Sequence, residues 1–365
     1  MCDKAQLKGP ARCPSIWRVP RSCVPPPVPH APPLSALLRQ YTAGSALTCE
    51  PVDQGLLNRG YRLRTTRGRY FLKHHFDPDT ADPAAIARQH RATRRLADLG
   101  VPVAPALAGR DGRTVAVVGG HAYALHPWID GGHRHGGQLT TGQCTRLGAL
   151  LGAVHACLER VMPPKGRARP ATGPHPVESA DPAATFALID GLLAHVRRHR
   201  PFDSFDELAR HRLLERRSLL EQHADRRPPP GGPVGWVHGD FHPFNLLYRG
   251  DAPAAIVDWD RLGVQPRAEE AVRAAAIFFL RPAGTLDLAK VGAYARAYRR
   301  AAGATRGELA AAVHRVWWER LNDFWMLRWH YERGDTRADP QFPAASALVT
   351  WWTGEYEAVC GAFTG

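Results

Sequence analysis

The hydrophobic pattern changes character along the chain. Residues 1–33 show no period and contain Pro25-Pro26-Pro27 and Pro32-Pro33, so a disordered or loosely docked extension is expected there. Helical spacing begins with Leu34, Leu37, Leu38 and Tyr41. Strand alternation follows. Tyr61, Leu63 and Thr65 interleave with Arg62, Arg64 and Thr66, Arg67-Gly68 makes a turn, and Tyr70 to Lys73 returns as a second strand. The next segment, 84–99, predicts an amphipathic helix with Ile86, Leu96 and Leu99 on its apolar face and Gly100 as its stop. Two more strands, 114–118 and 123–125, flank a Gly119-Gly120 turn.

From residue 139 the period is mostly helical. Leu147, Leu150, Leu151, Val154 and Leu158 predict a helix over 139–161, capped by Thr140 or Thr141. Helices are also expected over 182–197 and 203–224, then over 269–280, 286–302 and 305–331. Two short apolar strands interrupt them between 236 and 258, joined by a Gly250-Asp251 turn. The pattern is that of an α+β protein in three parts: the 1–33 extension, a sheet-bearing lobe with a hinge over 34–130, and a mainly helical lobe over 131–365.

Charge changes this picture little. The formal net charge is +14, but only five of the 48 basic residues are lysine, and alanine, glycine and proline are abundant. That profile fits a coding bias as well as a basic patch. No arginine cluster carries the aromatic interleaving of a nucleic-acid reader, so nucleic acid is not expected as a partner. A membrane partner is excluded from the expectation too, since no apolar run approaches the length of a spanning helix. Seven cysteines, at 2, 13, 23, 49, 144, 157 and 360, form no Cys-x-x-Cys pair, which suits a reducing cytoplasm. The basic N-terminus has no apolar segment behind it, so no secretory signal is expected.

Candidate chemistry concentrates at His238-Gly239-Asp240, Asn245 and Asp258-Trp259-Asp260. The two short strands are expected to bring Asp240, Asn245 and Asp258 to the mouth of one small sheet. Hard oxygen ligands at such an edge suit Mg²⁺, and a carboxylate beside the ion can accept a proton from a hydroxyl. The same residues also serve as turn formers and strand caps. Glycines at 55 and 60 around Asn58 would let a turn approach a phosphate. His133 and His135 lack partners at ligand spacing and read as a solvated loop. The aromatic residues Trp317, Trp318, Phe324, Trp325, Trp329, Tyr331, Trp351 and Trp352 read as a helical core or as stacking surfaces for a ring-bearing acceptor.

In order and spacing, His-Gly-Asp-x-x-x-x-Asn followed by Ile-Val-Asp-Trp-Asp resembles the aminoglycoside phosphotransferase and choline kinase branch of the protein-kinase-like fold. The resemblance implies two lobes with ATP at a hinge over 126–132, where His126 and Trp128 stand. It implies Asp240 as the base, Asn245 and Asp258 as Mg²⁺ ligands, Lys73 on the phosphates, and the turn of Gly55, Asn58 and Gly60 above them. His238 would support the loop by hydrogen bonds, and Asp260 would serve the metal shell or the structure. A Glu is expected to pair with Lys73 from helix 84–99. Gln89 stands at that position, with Asp77, Asp79 and Asp82 as nearby substitutes. The implied reaction moves the γ-phosphate to a hydroxyl of a small molecule (an antibiotic, sugar or amino alcohol). A stress-response type of protein Ser/Thr kinase and a nucleotide-binding pseudoenzyme are the alternatives. Neither the acceptor nor the oligomeric state is legible, although an arginine-rich lobe weakens the case for a polycationic aminoglycoside.

Overall fold

The computed structural model describes residues 31–52, 58–76, 81–162, 178–229, 231 and 233–365. Its first part is one antiparallel sheet. Strands β1 (Ala46–Val52), β2 (Arg59–Thr65), β3 (Gly68–His75), β4 (Ala116–Val118) and β5 (His121–Pro127) lie in the order β1-β2-β3-β5-β4. The alternation read from the sequence decides the faces: Tyr61, Leu63 and Leu72 are buried with Tyr123 and Leu125, and helix α1 (Leu34–Gln40) adds Leu37 and Leu38. β1 has no clean alternation because it is an edge strand with most side chains exposed, and periodicity alone does not reveal it.

Helix α2 (Pro83–Asp98) begins where Asp82 accepts the N–H groups of Ala84 and Ala85, with Pro83 at the first helical position. Ile86, Ala92 and Leu96 are buried on its inner face. Leu99, expected on that face, stands outside at the C-cap and is 39% exposed, because the helix ends one residue earlier.

The larger part is helical: α3 (Thr141–Val161), α4 (Pro182–Arg198), α5 (Ser204–His223), α6 (Arg267–Phe278), α7 (Leu288–Ala302), α8 (Arg306–Asn322), α9 (Trp325–Arg333), α10 (Phe342–Gly354) and α11 (Tyr356–Thr364). Thr140 and Gln143 close a capping box at the start of α3. α3 packs closely on α7 because Gly148 and Gly152 remove side chains at the crossing; a Cβ on Gly148 would lie 2.1 Å from the Tyr294 carbonyl. The single helix expected over 305–331 is broken. Asp323 takes an extended backbone, and its carboxylate accepts the Trp325 N–H at 3.1 Å, which starts α9 in a new direction. Trp317, Trp318 and Trp352 are fully buried and form core.

The four remaining strands carry the candidate chemistry: β6 (Val234–Val237), β7 (Leu246–Arg249), β8 (Ala252–Ile256) and β9 (Gly263–Pro266). They form two separate ribbons, β6 with β9 and β7 with β8, instead of the one small sheet expected. β9 escaped the pattern because three half-buried residues and one buried proline give no readable alternation.

Candidate active site

Strand register assembles the site. Leu246 pairs with Ile256 across β7 and β8, and the Val257 N–H donates to the Asn245 carbonyl at 3.0 Å, so Asn245 and Asp258 leave the same end of the ribbon. Trp259 points inward, is 7% exposed, and donates its indole N–H to the Ile256 carbonyl at 3.1 Å. With that anchor set, the flanking Asp258 and Asp260 turn toward β3. Lys73 meets both, at 2.7 Å from Asp258 Oδ1 and 2.8 Å from Asp260 Oδ1. Asp258 holds φ +61°, the left-handed region that side-chain-bearing residues rarely enter. Such strain persists where the surroundings over-determine it.

Burial works against the charge on Lys73, but the two carboxylates outweigh it and raise its pKa. Burial also opposes the Asp258 charge, yet the Lys73 ammonium holds that carboxyl well below the usual range. Asp260 goes the other way: burial and the neighbouring Asp258 push it up against the pull of Lys73. One ammonium therefore serves two unequal carboxylates.

Gly239 gives the loop after β6 its shape. Its φ is +85°, and a Cβ there would fall 2.3 Å from the Arg261 carbonyl, so the His-Gly-Asp glycine is a steric requirement. Asp240 follows, with His242 Nε2 at 3.6 Å and Arg261 Nε at 3.8 Å from its Oδ2. Burial would raise the Asp240 carboxyl, but the hydrogen bond and charge of His242, with Arg261, keep it below its ordinary value. Asn245 donates its amide to the Asp240 carbonyl at 2.8 Å, which directs its Oδ1 away from the loop. His238 is fully buried and bonds the Val257 carbonyl at 3.0 Å through Nε2.

Behind the loop lies a residue the sequence reading missed. Glu270 on α6 is 3% exposed and accepts the backbone N–H groups of His238, at 3.2 Å, and of Gly239. It also meets His155 Nε2 at 2.7 Å, and His155 Nδ1 meets the Tyr298 hydroxyl at 3.0 Å. A Glu in an alanine-rich helix gives no periodic signal of this. His242 and Arg261 were missed as well, although both lie within two residues of residues already singled out.

Other expected positions fall elsewhere. Gly60 is within β2 opposite Lys73, and a Cβ there would lie 2.6 Å from the Phe71 ring, so it serves packing within the sheet. Asn58 donates to Asp260 Oδ2. Gly55, Asp77 and Asp79 lie outside the described residues. Gln89 does not pair with Lys73; its amide donates to the Asp260 carbonyl at 2.9 Å, and the carboxylates expected from helix α2 come from Asp258 and Asp260 instead. His126 sits 2.9 Å from the Ala104 carbonyl, and burial drives its pKa down to about 4. Trp128 lies under the Arg62 guanidinium at 5.8 Å, and its backbone N–H donates to the Arg69 carbonyl. His133 bonds the Leu246 carbonyl at 3.1 Å, and His135 caps a short turn.

Residues 48–304 match the sequence profile described as the Phosphotransferase enzyme family, and the chain belongs to that family. It is similar to the homoserine kinase of Paramagnetospirillum magneticum, 24% identical over 217 residues that cover 60% of this chain and 59% of that one, so the match spans under two-thirds of the relative's length. The homoserine kinase of Burkholderia ambifaria is 27% identical over 322 residues, covering 81% of this chain and 86% of the relative. Among solved structures, an aminoglycoside phosphotransferase from Alicyclobacillus acidocaldarius superposes with a TM-score of 0.58 at 15% identity, covering 92% of this chain and 96% of that one. An amicoumacin kinase in complex with AMP-PNP and Ca²⁺ superposes with a TM-score of 0.56 at 15% identity, over 89% and 92%. The fold is therefore α+β and protein-kinase-like, with the antiparallel sheet N-terminal to the helical part. Among the described residues no helix is long and apolar enough to cross a membrane.

Proposed function

We propose that this protein is an ATP-dependent phosphotransferase that moves the γ-phosphate to a hydroxyl of a small molecule. The observation that carries the reading is the meeting of Lys73 with Asp258 and Asp260, 185 and 187 residues away, beside a loop that presents Asp240 and Asn245. Lys73 and Arg261 among three carboxylates leave a negative site, and together with the Asn245 oxygen that donor set fits a divalent ion such as Mg²⁺. Asn245 and Asp258 would hold it, with Asp260 behind them; when bound, the ion neutralises phosphate charge.

The protein's own residues do the rest. Lys73 orients the phosphates as a point charge. Asp240, kept ionised by His242 and Arg261, accepts the acceptor's proton while the acceptor oxygen bonds to the γ-phosphorus and the bond to the ADP oxygen breaks. Glu270 fixes the backbone from which Asp240 projects. A loose transition state leaves most of the acceleration to position and charge. The homoserine kinases among the relatives favour a small acceptor over a protein, and the AMP-PNP complex of the structural neighbour favours ATP. A cytoplasmic location, where ATP is supplied, suits the free Cys49, Cys144, Cys157 and Cys360.

The test is transfer of labelled γ-phosphate to pooled alcohols and to protein, comparing wild type with Asp240→Asn. Expected is Mg²⁺-dependent transfer to an alcohol that the substitution lowers about 10²- to 10⁴-fold, with ATP affinity retained. Equal ATP turnover in the two proteins removes Asp240 as the base; label on protein alone removes the small acceptor.

A further inference from the structure

The helical part contains a second charged cavity. It is a small open cavity lined by Arg212 and Arg216 from α5, Arg320 from α8 and Asp323, with Phe324 and Phe342 as apolar walls. Three guanidinium groups and one carboxylate, Asp323, line it; beyond the lining Arg212 is bridged to Glu215 at 2.6 Å, and Glu319, bridged to Arg273 at 2.9 Å, acts on Arg320 and Asp323. Arg216 is 6% exposed and directs one nitrogen to the Arg320 carbonyl at 2.6 Å. The Nε atoms of Arg212 and Arg320 are buried without a hydrogen-bond partner, and no ion pair joins Asp323 to Arg216 or Arg320. Buried donors of this kind call for a partner, and a buried cation costs more than a neutral donor when it lacks one. Burial drives the Arg216 pKa down to about 10, with Arg212 and Arg320 adding to the shift against Asp323 and Glu215.

Glu269 bridges Arg315 and Arg273 bridges Glu319, so α6 and α8 run in the same direction, and Asp323 falls beside the end of α6. There Phe278 packs on Phe241, the residue after Asp240, with ring centroids 6.0 Å apart.

We propose that this pocket recognises the acceptor, and that the acceptor carries a carboxylate held by Arg320, Arg212 and Arg216, with its hydroxyl directed to Asp240. This inference rests on the phosphotransfer reading above. Guanidinium forks match carboxylates in geometry as well as charge. An acceptor that lacks the carboxylate leaves those donors unpaired and is rejected, whereas a polycation is repelled.

The experiment compares L-homoserine with 3-aminopropan-1-ol, its decarboxylated counterpart, on the full-length protein. Transfer from ATP is measured beside direct binding, followed by tryptophan fluorescence and calorimetry. Expected is saturable binding of and transfer to L-homoserine, with kcat/KM at least about 100-fold above the amino alcohol. Arg320→Leu should raise the KM for L-homoserine tenfold or more with a smaller change in kcat, and Arg320→Lys should recover part of the loss. Arg212→Gln, on the more exposed side of the pocket, provides a second variant if Arg320→Leu fails to fold. Equal use of the two acceptors, or binding of neither, overturns the carboxylate assignment. ATP turnover that depends on Asp240 leaves the phosphotransfer reading standing in either case, and turnover indifferent to Asp240 removes that reading instead.

Discussion

Replacing Glu270 tests whether the buried carboxylate behind the catalytic loop builds the site. Its three donors, His155 Nε2 and the His238 and Gly239 N–H groups, lie in a region the solvent does not reach. Glu270→Ala leaves all three unpaired and opens a cavity. Breaking a buried charged partnership of this kind costs about 3–5 kcal/mol. Glu270→Gln keeps the shape and one acceptor oxygen, so about 1–3 kcal/mol is expected. Function should suffer beyond stability, because a displacement of about 1 Å at Asp240 costs on the order of 100-fold in rate.

The pH dependence has a defined sign. Burial pushes the Glu270 carboxyl up, but the hydrogen bond and charge of His155, the field of His238 and the Gly239 N–H outweigh it, so the folded pKa is lowered from its ordinary 4.5. The stabilisation is thus fully present above pH 4.5 and is lost as pH falls through the folded value below it. Urea unfolding from pH 3 to 8, followed by circular dichroism, should show wild type losing more stability on acidification than Glu270→Gln. A Glu270→Ala protein within 1 kcal/mol of wild type and with unchanged ATP turnover would refute the reasoning.

Two further substitutions probe backbone approach. Gly239→Ala forces a Cβ to 2.3 Å from the Arg261 carbonyl at φ +85°, and should lower kcat by at least tenfold with a measurable drop in melting temperature; normal kinetics would show that the loop yields freely. Gly148→Ala at the α3–α7 crossing would place a Cβ 2.1 Å from the Tyr294 carbonyl, and should destabilise by about 2–3 kcal/mol in denaturant unfolding. Gly191→Ala, on α4 with nothing within 4 Å of the added carbon, should instead stabilise by about 0.5–1 kcal/mol.

The legible parts of this fold were those where one residue type has one physical reason. Alternation found β2 because one face of it is buried, and Thr140 marked a helix start because an unpaired N–H needs an acceptor. β1 and β9 were not legible: an edge strand and a four-residue ribbon strand bury too little to impose a pattern. The motif residues were legible as a set, but their partners were not. Gln89 and Lys73 looked like the two members of a pair, yet each bonds the Asp258–Asp260 segment, and that three-body arrangement depends on Trp259 turning inward. Glu270 and the Arg212–Arg216–Arg320 pocket are made by helices meeting in space, so no spacing along the chain announces them.

Two charge imbalances of opposite sign remain in a molecule whose formal net charge is +14. Around Asp240, Lys73 and Arg261 stand against three carboxylates, while three guanidinium groups and the one carboxylate of Asp323 line the second cavity. Neither surplus helps the fold by itself, since uncompensated charge removed from water is costly. Each becomes favourable when a ligand of the opposite sign arrives, a divalent cation with its phosphates at the first and a carboxylate at the second. Binding sites carry such unfavourable arrangements because the ligand completes them, as stability alone would have selected against both. The prediction shared by both sites is that neutralising a surplus residue weakens ligand binding while leaving the empty protein equally stable or more so: Arg320→Leu should raise the urea midpoint or leave it in place as acceptor affinity falls. A midpoint that drops together with the affinity would mean that Arg320 holds the helices together, and that the pocket is structural.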